Sequence, residues 1–346
     1  KQDCAKRRER HGEKSRLAPQ LGIQQARSNR AVPDWKEAAA APSFIGTRVF
    51  DIPLEELVDF IDWMPFFNAW EFHGKFPAIL EDDIVGEAAS NLYRDARAML
   101  DRIIDEKWLQ SKAVVGLFPA NAVEDDIVLF ADEARSEELA TLHQLRQQRQ
   151  LPNGQPNLCL ADFVAPRQSG IADHIGAFAV TAGIGIEKHV AEFEGKHDDY
   201  NAILLKALAD RLAEASAEYM HAKVRKELWG YASDESLNND ALIAEGYRGI
   251  RPAPGYPACP DHMEKTTLWN LLDVEKNVGI ELTDSFAMYP AASVSGWYLA
   301  HPEAKYFQVG KIGRDQAEDY ARRKGISLAT VERWLASNLG YDAAAA

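Results

Sequence analysis

Apolar positions along this chain repeat with two different periods. Ile84, Ala88, Leu92, Ala96, Met99, Leu100 and Ile103 recur by threes and fours, which predicts a long helix over 82–107. The strongest helical stripe runs through Leu204, Leu208, Leu212, Ala215, Tyr219 and Leu228, predicting a helix over 200–229 that stops at Gly230. Shorter helices are predicted at 53–61, from 186, at 238–245 and at 263–278, with a helix–turn–helix at 315–324 and 328–335. Short runs of β-branched and small apolar residues predict strands at 113–118, 126–130, 158–164, 174–181, 282–286, 294–299 and 305–309. Pro119 to Asn121 reads as the turn closing the first hairpin, and the glutamine- and arginine-rich stretch 137–150 reads as a solvated helix. Strands and helices do not alternate regularly, so the predicted class is α+β, with mixed antiparallel strands and long helices packed around them.

One stretch escapes both periods. Residues 245–262 read EGYRGIRPAPGYPACPDH. Pro252, Pro254, Pro257 and Pro260 remove amide donors and push each preceding residue toward extended geometry. The expectation is a stiff loop that loses little freedom when a ligand arrives, with Arg251 near its start and Tyr256 in its middle. Arg251 offers a planar fork of donors to a carboxylate or phosphate; the plainer reading is a surface arginine paired with a nearby acid. Asp62, set among aromatics before Pro65, is either a helix-end acceptor or a ligand contact. Glu214, on the flank of the long apolar stripe, either projects into a groove or pairs with Lys206 or Arg211.

Charge and composition narrow the function. The 346 residues carry a formal charge of -14, which argues against broad nucleic-acid binding. Residues 1–30 are the exception: basic, polar and poor in large apolar residues, they read as a linker or arm. Residues 31–48 read as an extended strap leading to a domain over 31–346. The cysteines, Cys4, Cys159 and Cys259, are too far apart for a metal knuckle, and a reducing, cytoplasmic compartment is expected. No apolar run reaches membrane-spanning length. Dinucleotide, P-loop, zinc-protease and serine-hydrolase motifs are all missing. The helix pair at 315–335 has the outline of a DNA reader, but its second helix has few basic residues.

A likeness extends beyond composition. RPAPGYPACPDH from Arg251 is joined, in order along the chain, by IDWMPFF from Ile61, FPAILEDDIVG from Phe76, VVGLFPAN from Val114, CLADFVAP from Cys159, DHIGAFAV from Asp173, HDDYNAILLKALADRLAEA from His197, WGYA from Trp229, LTDSFAMYPAASVSGWY from Leu282, HPEAKYF from His301 and VERWLASNLGYD from Val331. Together they resemble the C-terminal activation domain of cobalamin-dependent methionine synthase over nearly everything after Arg30. The resemblance implies a C-shaped α+β domain with a central antiparallel sheet flanked by long helices. It implies that the domain binds S-adenosylmethionine and presents its methyl group for reductive methylation of cob(II)alamin. A cobalamin-binding domain of the same polypeptide and a flavodoxin-type reductase are the implied partners. Cobalamin and zinc are expected only in other modules of the full enzyme. The residues implied at the ligand are Asp62 and Glu214 near its amino-acid end, Arg251 at its carboxylate, Ala253, Gly255 and Tyr256 as loop wall, and Tyr306 near the sulfonium or ribose. Phe307 stands where some family members carry a second tyrosine, so only a backbone contact is carried over there. No general acid or base is implied. A module that only docks a flavoprotein and a cobalamin domain is the alternative.

Overall fold

The computed structural model describes residues 20–35 and 41–343. In chain order the main elements are α1 (Ile23–Ser28), β1 (Gly46–Ile52), α2 (Gly86–Asp105), β2 (Gln110–Val123), β3 (Asp126–Phe130), β4 (Glu138–His143), β5 (Asp173–Ile184), α3 (Ile186–Gly195) and α4 (Asp199–Lys223). They continue with α5 (Asn239–Ile243), α6 (Glu264–Leu272), α7 (Val274–Val278), β6 (Ser293–Tyr298), α8 (Arg314–Lys324) and α9 (Leu328–Trp334). Strands β4, β3, β2, β5 and β6 lie in that order in one sheet, with β1 added to β2, and every pairing is antiparallel.

Alternation along β2 and β5 feeds two cores, as the period of a strand requires. Ala113, Val115, Leu117, Phe178 and Val180 face one cluster with α4 and α2, which supplies Leu204, Leu208, Leu212, Ala96, Leu100 and Ile103. Val114, Phe118, Ala120, Ile175 and Ala177 face the other, with Leu268, Trp269, Leu272 and the segment 158–164. A third, smaller cluster joins Ile312, Ala317, Tyr320, Val331 and Leu335 of the C-terminal helices. The predicted α+β class with its central antiparallel sheet and flanking long helices is therefore the architecture found.

Several local expectations are overturned. Residues 119–121 are not a turn: β2 runs through them. Pro119 is tolerated because it lies where one neighbour ends and another begins, the β1 partners stopping at Leu117 and the β3 partners starting at Ala120. Residues 137–150 are not a solvated helix. They form β4 and then an extended segment in which Gln144, Arg146 and Gln148 are buried, with Arg146 and Gln148 hydrogen-bonded to distant groups. The apolar run 158–164 is a 3₁₀ turn over Leu160–Phe163, closed by the Cys159 N–H donating to Asp162 Oδ2 at 3.0 Å. Residues 305–309 pair with no strand among the described residues, and the predicted strand 282–286 shrinks to Glu281–Leu282. The helix expected over 263–278 breaks at Asp273, where φ is 46°. The strap at 31–48 hides the start of β1, which is mostly exposed and so lacks a clear apolar alternation.

Residues 1–19 of the basic arm and 36–40 of the alanine-rich strap lie outside the described residues. Residues 20–30 do not behave as a linker. α1 buries Ile23 and Ala26, and Arg27 reaches Asp125 at 2.8 Å and Asp319 at 2.6 Å.

Candidate functional site

The stretch 245–262 is pinned at both ends. At its start Ile250 and Leu299 exchange backbone hydrogen bonds of 2.9 and 3.0 Å, and the Trp297 N–H donates to the Pro252 carbonyl at 2.9 Å. The loop thus extends the sheet beyond β6, with Arg251 between these two ties. Gly296 permits the approach: a Cβ there would lie 2.6 Å from the Pro252 oxygen. At the other end Asp261 accepts from Tyr320 Oη and from Lys324 Nζ of α8, each at 2.6 Å. Between them the Gly255 N–H donates to the Cys259 carbonyl at 2.7 Å. Gly255 has φ 93°, and a Cβ there would sit 2.2 Å from the His262 ring, so only glycine fits without rearrangement.

Opposite this loop runs α4, its first turn capped by Asp198 accepting from the Asn201 N–H at 3.1 Å. Glu214, Glu218 and His221, spaced by four and three, fall on one face of it. Between helix and loop lie two adjoining cavities, of about 340 and 590 Å³, which share Glu214, Glu245 and Arg251. The smaller is polar: Asp62, Glu214, Glu218 and Glu245 face Arg211 and Arg251 across it, beside Asn239 and Tyr247. The larger is walled by Phe178, Pro252, Ala253, Pro257, Val294 and Phe307, with Tyr256 and Tyr306 at its edge. One end of the groove therefore suits separated charges, and the other suits a flat, less polar group.

Of the residues expected at the ligand, Asp62, Glu214, Arg251, Ala253, Tyr256, Tyr306 and Phe307 all line this groove, and Gly255 shapes the loop behind it. Asp62 also plays the helix-end part, accepting from the Met64 N–H at 3.0 Å. The plainer partners considered for Glu214 are engaged elsewhere, Lys206 with Glu194 at 3.0 Å and Arg211 with Asp210. Tyr306 Oη accepts from the Arg251 N–H at 3.0 Å and lies 3.3 Å from Tyr247 Oη.

Sequence reasoning missed Glu218, Glu245, Tyr247, Arg211 and Asn239. Glu218 could have been found, one helical turn after Glu214; the others carry no spacing signal. Arg251 Nη1 donates to Glu218 Oε2 at 3.0 Å. Burial alone would lower the pKa of Arg251, but Glu218, Tyr247, Tyr306 and Glu214 together outweigh it and the guanidinium is held charged. Burial pushes Glu218 up, against the pull of Arg251 and Arg225. Burial, with Arg225 and Arg251 close by, drives His221 well below its ordinary value, so it stays neutral. Burial likewise raises the phenol of Tyr247. No group of three or more His, Cys, Asp or Glu side chains among the described residues could hold a metal ion. Among them, no helix is long and apolar enough to cross a membrane.

A six-stranded antiparallel sheet, a long helix carrying carboxylates and a proline-braced loop carrying an arginine define a class of α+β domain whose groove suits a ligand with separated charges. The chain belongs to the family described as the activation domain of vitamin B12 dependent methionine synthase, which it matches over residues 53–325. It is similar to the MetH reactivation domain whose crystal structure was solved bound to AdoHcy. The two are 55% identical, with 94% of this chain and 100% of that chain covered and a TM-score of 0.92.

Proposed function

We propose that this domain binds S-adenosylmethionine in the groove between α4 and the 245–262 loop. It presents the methyl group for reductive methylation of cob(II)alamin carried by a separate module, and so reactivates a B12-dependent methionine synthase. The observation that carries this reading is the joining of a charged cavity to an apolar one at Arg251. The ligand has the same division, an amino-acid end and a nucleoside end, with a positively charged sulfur between them. The 55% identical MetH reactivation domain, crystallised with AdoHcy, supports it.

The residues present fit the ligand. Arg251 is placed to take its carboxylate in a charge-assisted hydrogen bond. Asp62 and Glu214 face its ammonium group. Four carboxylates against two guanidiniums in the polar cavity favour a ligand of net positive charge. Ala253, Gly255 and Tyr256 form the loop wall. Tyr306 sets its ring beside the sulfonium, where a π face suits a cation, and Phe307 closes the apolar end. Bound S-adenosylmethionine supplies an electrophilic methyl. This chain's own residues orient it and shield it, which is catalysis by positioning and needs no general acid or base. The partners in this reading are a cobalamin-binding domain of the same polypeptide and a flavodoxin-type reductase.

Isothermal titration of the chain with S-adenosylmethionine tests the reading. Saturable binding is expected, weakened about ten- to a hundred-fold in Arg251→Ala, the range for a lost hydrogen bond between charged groups. No binding at millimolar ligand defeats it.

A further inference from the structure

We propose that Glu218 is a positioning residue that aims the Arg251 guanidinium at the ligand carboxylate, and that Arg225 anchors it from behind. The inference rests on the reading of the groove as an S-adenosylmethionine site.

Three observations place Glu218 in this role. Its Oε2 holds Arg251 Nη1 at 3.0 Å, while its Oε1 lies 3.6 Å from Arg225 Nη1. Arg225 is wholly buried, and its Nε and Nη2 are held by Glu235 Oε1 at 3.0 and 2.7 Å, so it is fixed in place and lines neither cavity. The ring of Tyr247 covers Arg225 at 4.4 Å, and its hydroxyl lies beside the Tyr306 hydroxyl that accepts from the Arg251 main chain. Arg251 is therefore gripped at its backbone and at one edge of its side chain by a single connected layer.

The physical consequence follows from the shape of arginine. Its long side chain has many rotamers, and ordering them during binding costs affinity. A guanidinium already held along one edge keeps its plane and its remaining donors in a set direction. The layer behind it adds no competing anion at the ring of His221, which is stacked on Tyr298 with centroids 5.2 Å apart and set edge-on to Tyr247 at 4.7 Å. Among the described residues, Glu218 is the one carboxylate paired with both arginines.

A ligand lacking only the carboxylate separates this role from a direct one. The chain, Glu218→Gln and Glu218→Asp are titrated with S-adenosylmethionine and with its decarboxylated analogue, and thermal melts check folding. Glu218→Gln is expected to bind S-adenosylmethionine at least tenfold more weakly and the analogue within twofold of the parent. Glu218→Asp, which keeps the charge, is expected to recover part of the loss, and it carries the test alone if the glutamine variant does not fold. In an Arg251→Ala background, Glu218→Gln is expected to add less than twofold. Equal losses for both ligands would mean that Glu218 meets the ammonium group or merely supports the fold, and would overturn the proposal. So would unchanged or tighter binding of S-adenosylmethionine. A parent chain that binds no S-adenosylmethionine defeats the reading of the groove instead.

Discussion

Arg146 and Arg251 are both held by buried carboxylates, and they do opposite things. Arg146 is buried and lines neither cavity of the groove. Its Nε donates to Asp125 at 2.8 Å, its Nη1 to Asn157 and Asp162 at 2.7 and 2.8 Å, and its Nη2 to Asp162 at 2.7 Å. Each of its nitrogens is bonded to the protein, and it reads as a structural pin. Arg251 gives one nitrogen to Glu218 and faces two cavities with the rest of its side chain. Saturated donors build a fold, whereas an arginine held at one edge and facing a cavity is placed for something that arrives later.

The contrast can be broken by substitution. Arg146→Met should cost about 3–5 kcal/mol of stability, because it leaves Asp125 and Asp162 buried without their main partner; urea unfolding measures this. Arg251→Ala should cost about 1 kcal/mol or less in the same assay, since its partner also borders a cavity and keeps Arg225 nearby, while ligand affinity falls. Equal stability losses would erase the distinction. Gly255→Ala should destabilise by about 1–2 kcal/mol through its left-handed backbone, and should weaken S-adenosylmethionine binding more than a loop change elsewhere.

A smaller effect comes from the edge of the structural network, where Arg27 joins Asp125 to Asp319. Burial would raise the pKa of Asp319, but hydrogen bonds from Arg27 and Arg322 and the charge of Arg323 hold it below its ordinary value of 3.8. Its stabilising contribution is therefore present above that value and is lost as pH falls through the depressed one. Asp319→Asn should lower stability by about 1 kcal/mol at neutral pH and flatten the acid limb of the stability–pH curve. A parallel shift at all pH values would contradict this sign. The smallest change expected is Phe307→Tyr: its ring packs on two clusters and lines the apolar cavity, and affinity should move less than about threefold.

Much of the fold was legible from local pattern. The stripe of Leu204, Leu208 and Leu212 reports a helix wherever it lies, because its side chains must share one face. The proline run of 252–260 announces an irregular, stiff segment for equally local reasons. The groove residues were found through the likeness of long motifs, and periodicity alone left Asp62, Glu214 and Arg251 each with a plainer alternative. What stayed hidden was polar burial. Arg146 and Gln148 look like a solvated face until their partners are known, and the Arg146 main-chain N–H donates to Gln316, 170 residues away.

The chain's own pattern thus settled the two longest helices, four strands of the main sheet, the braced loop and the kinship with the activation-domain family, since each depends on neighbours in sequence. Tertiary contact alone decided that Pro119 lies within a strand, that the 137–150 segment is buried, and that Glu218 rather than Glu214 grips Arg251. Those outcomes depend on which groups are desolvated together, and a buried charge is satisfied only by partners that the fold brings from elsewhere.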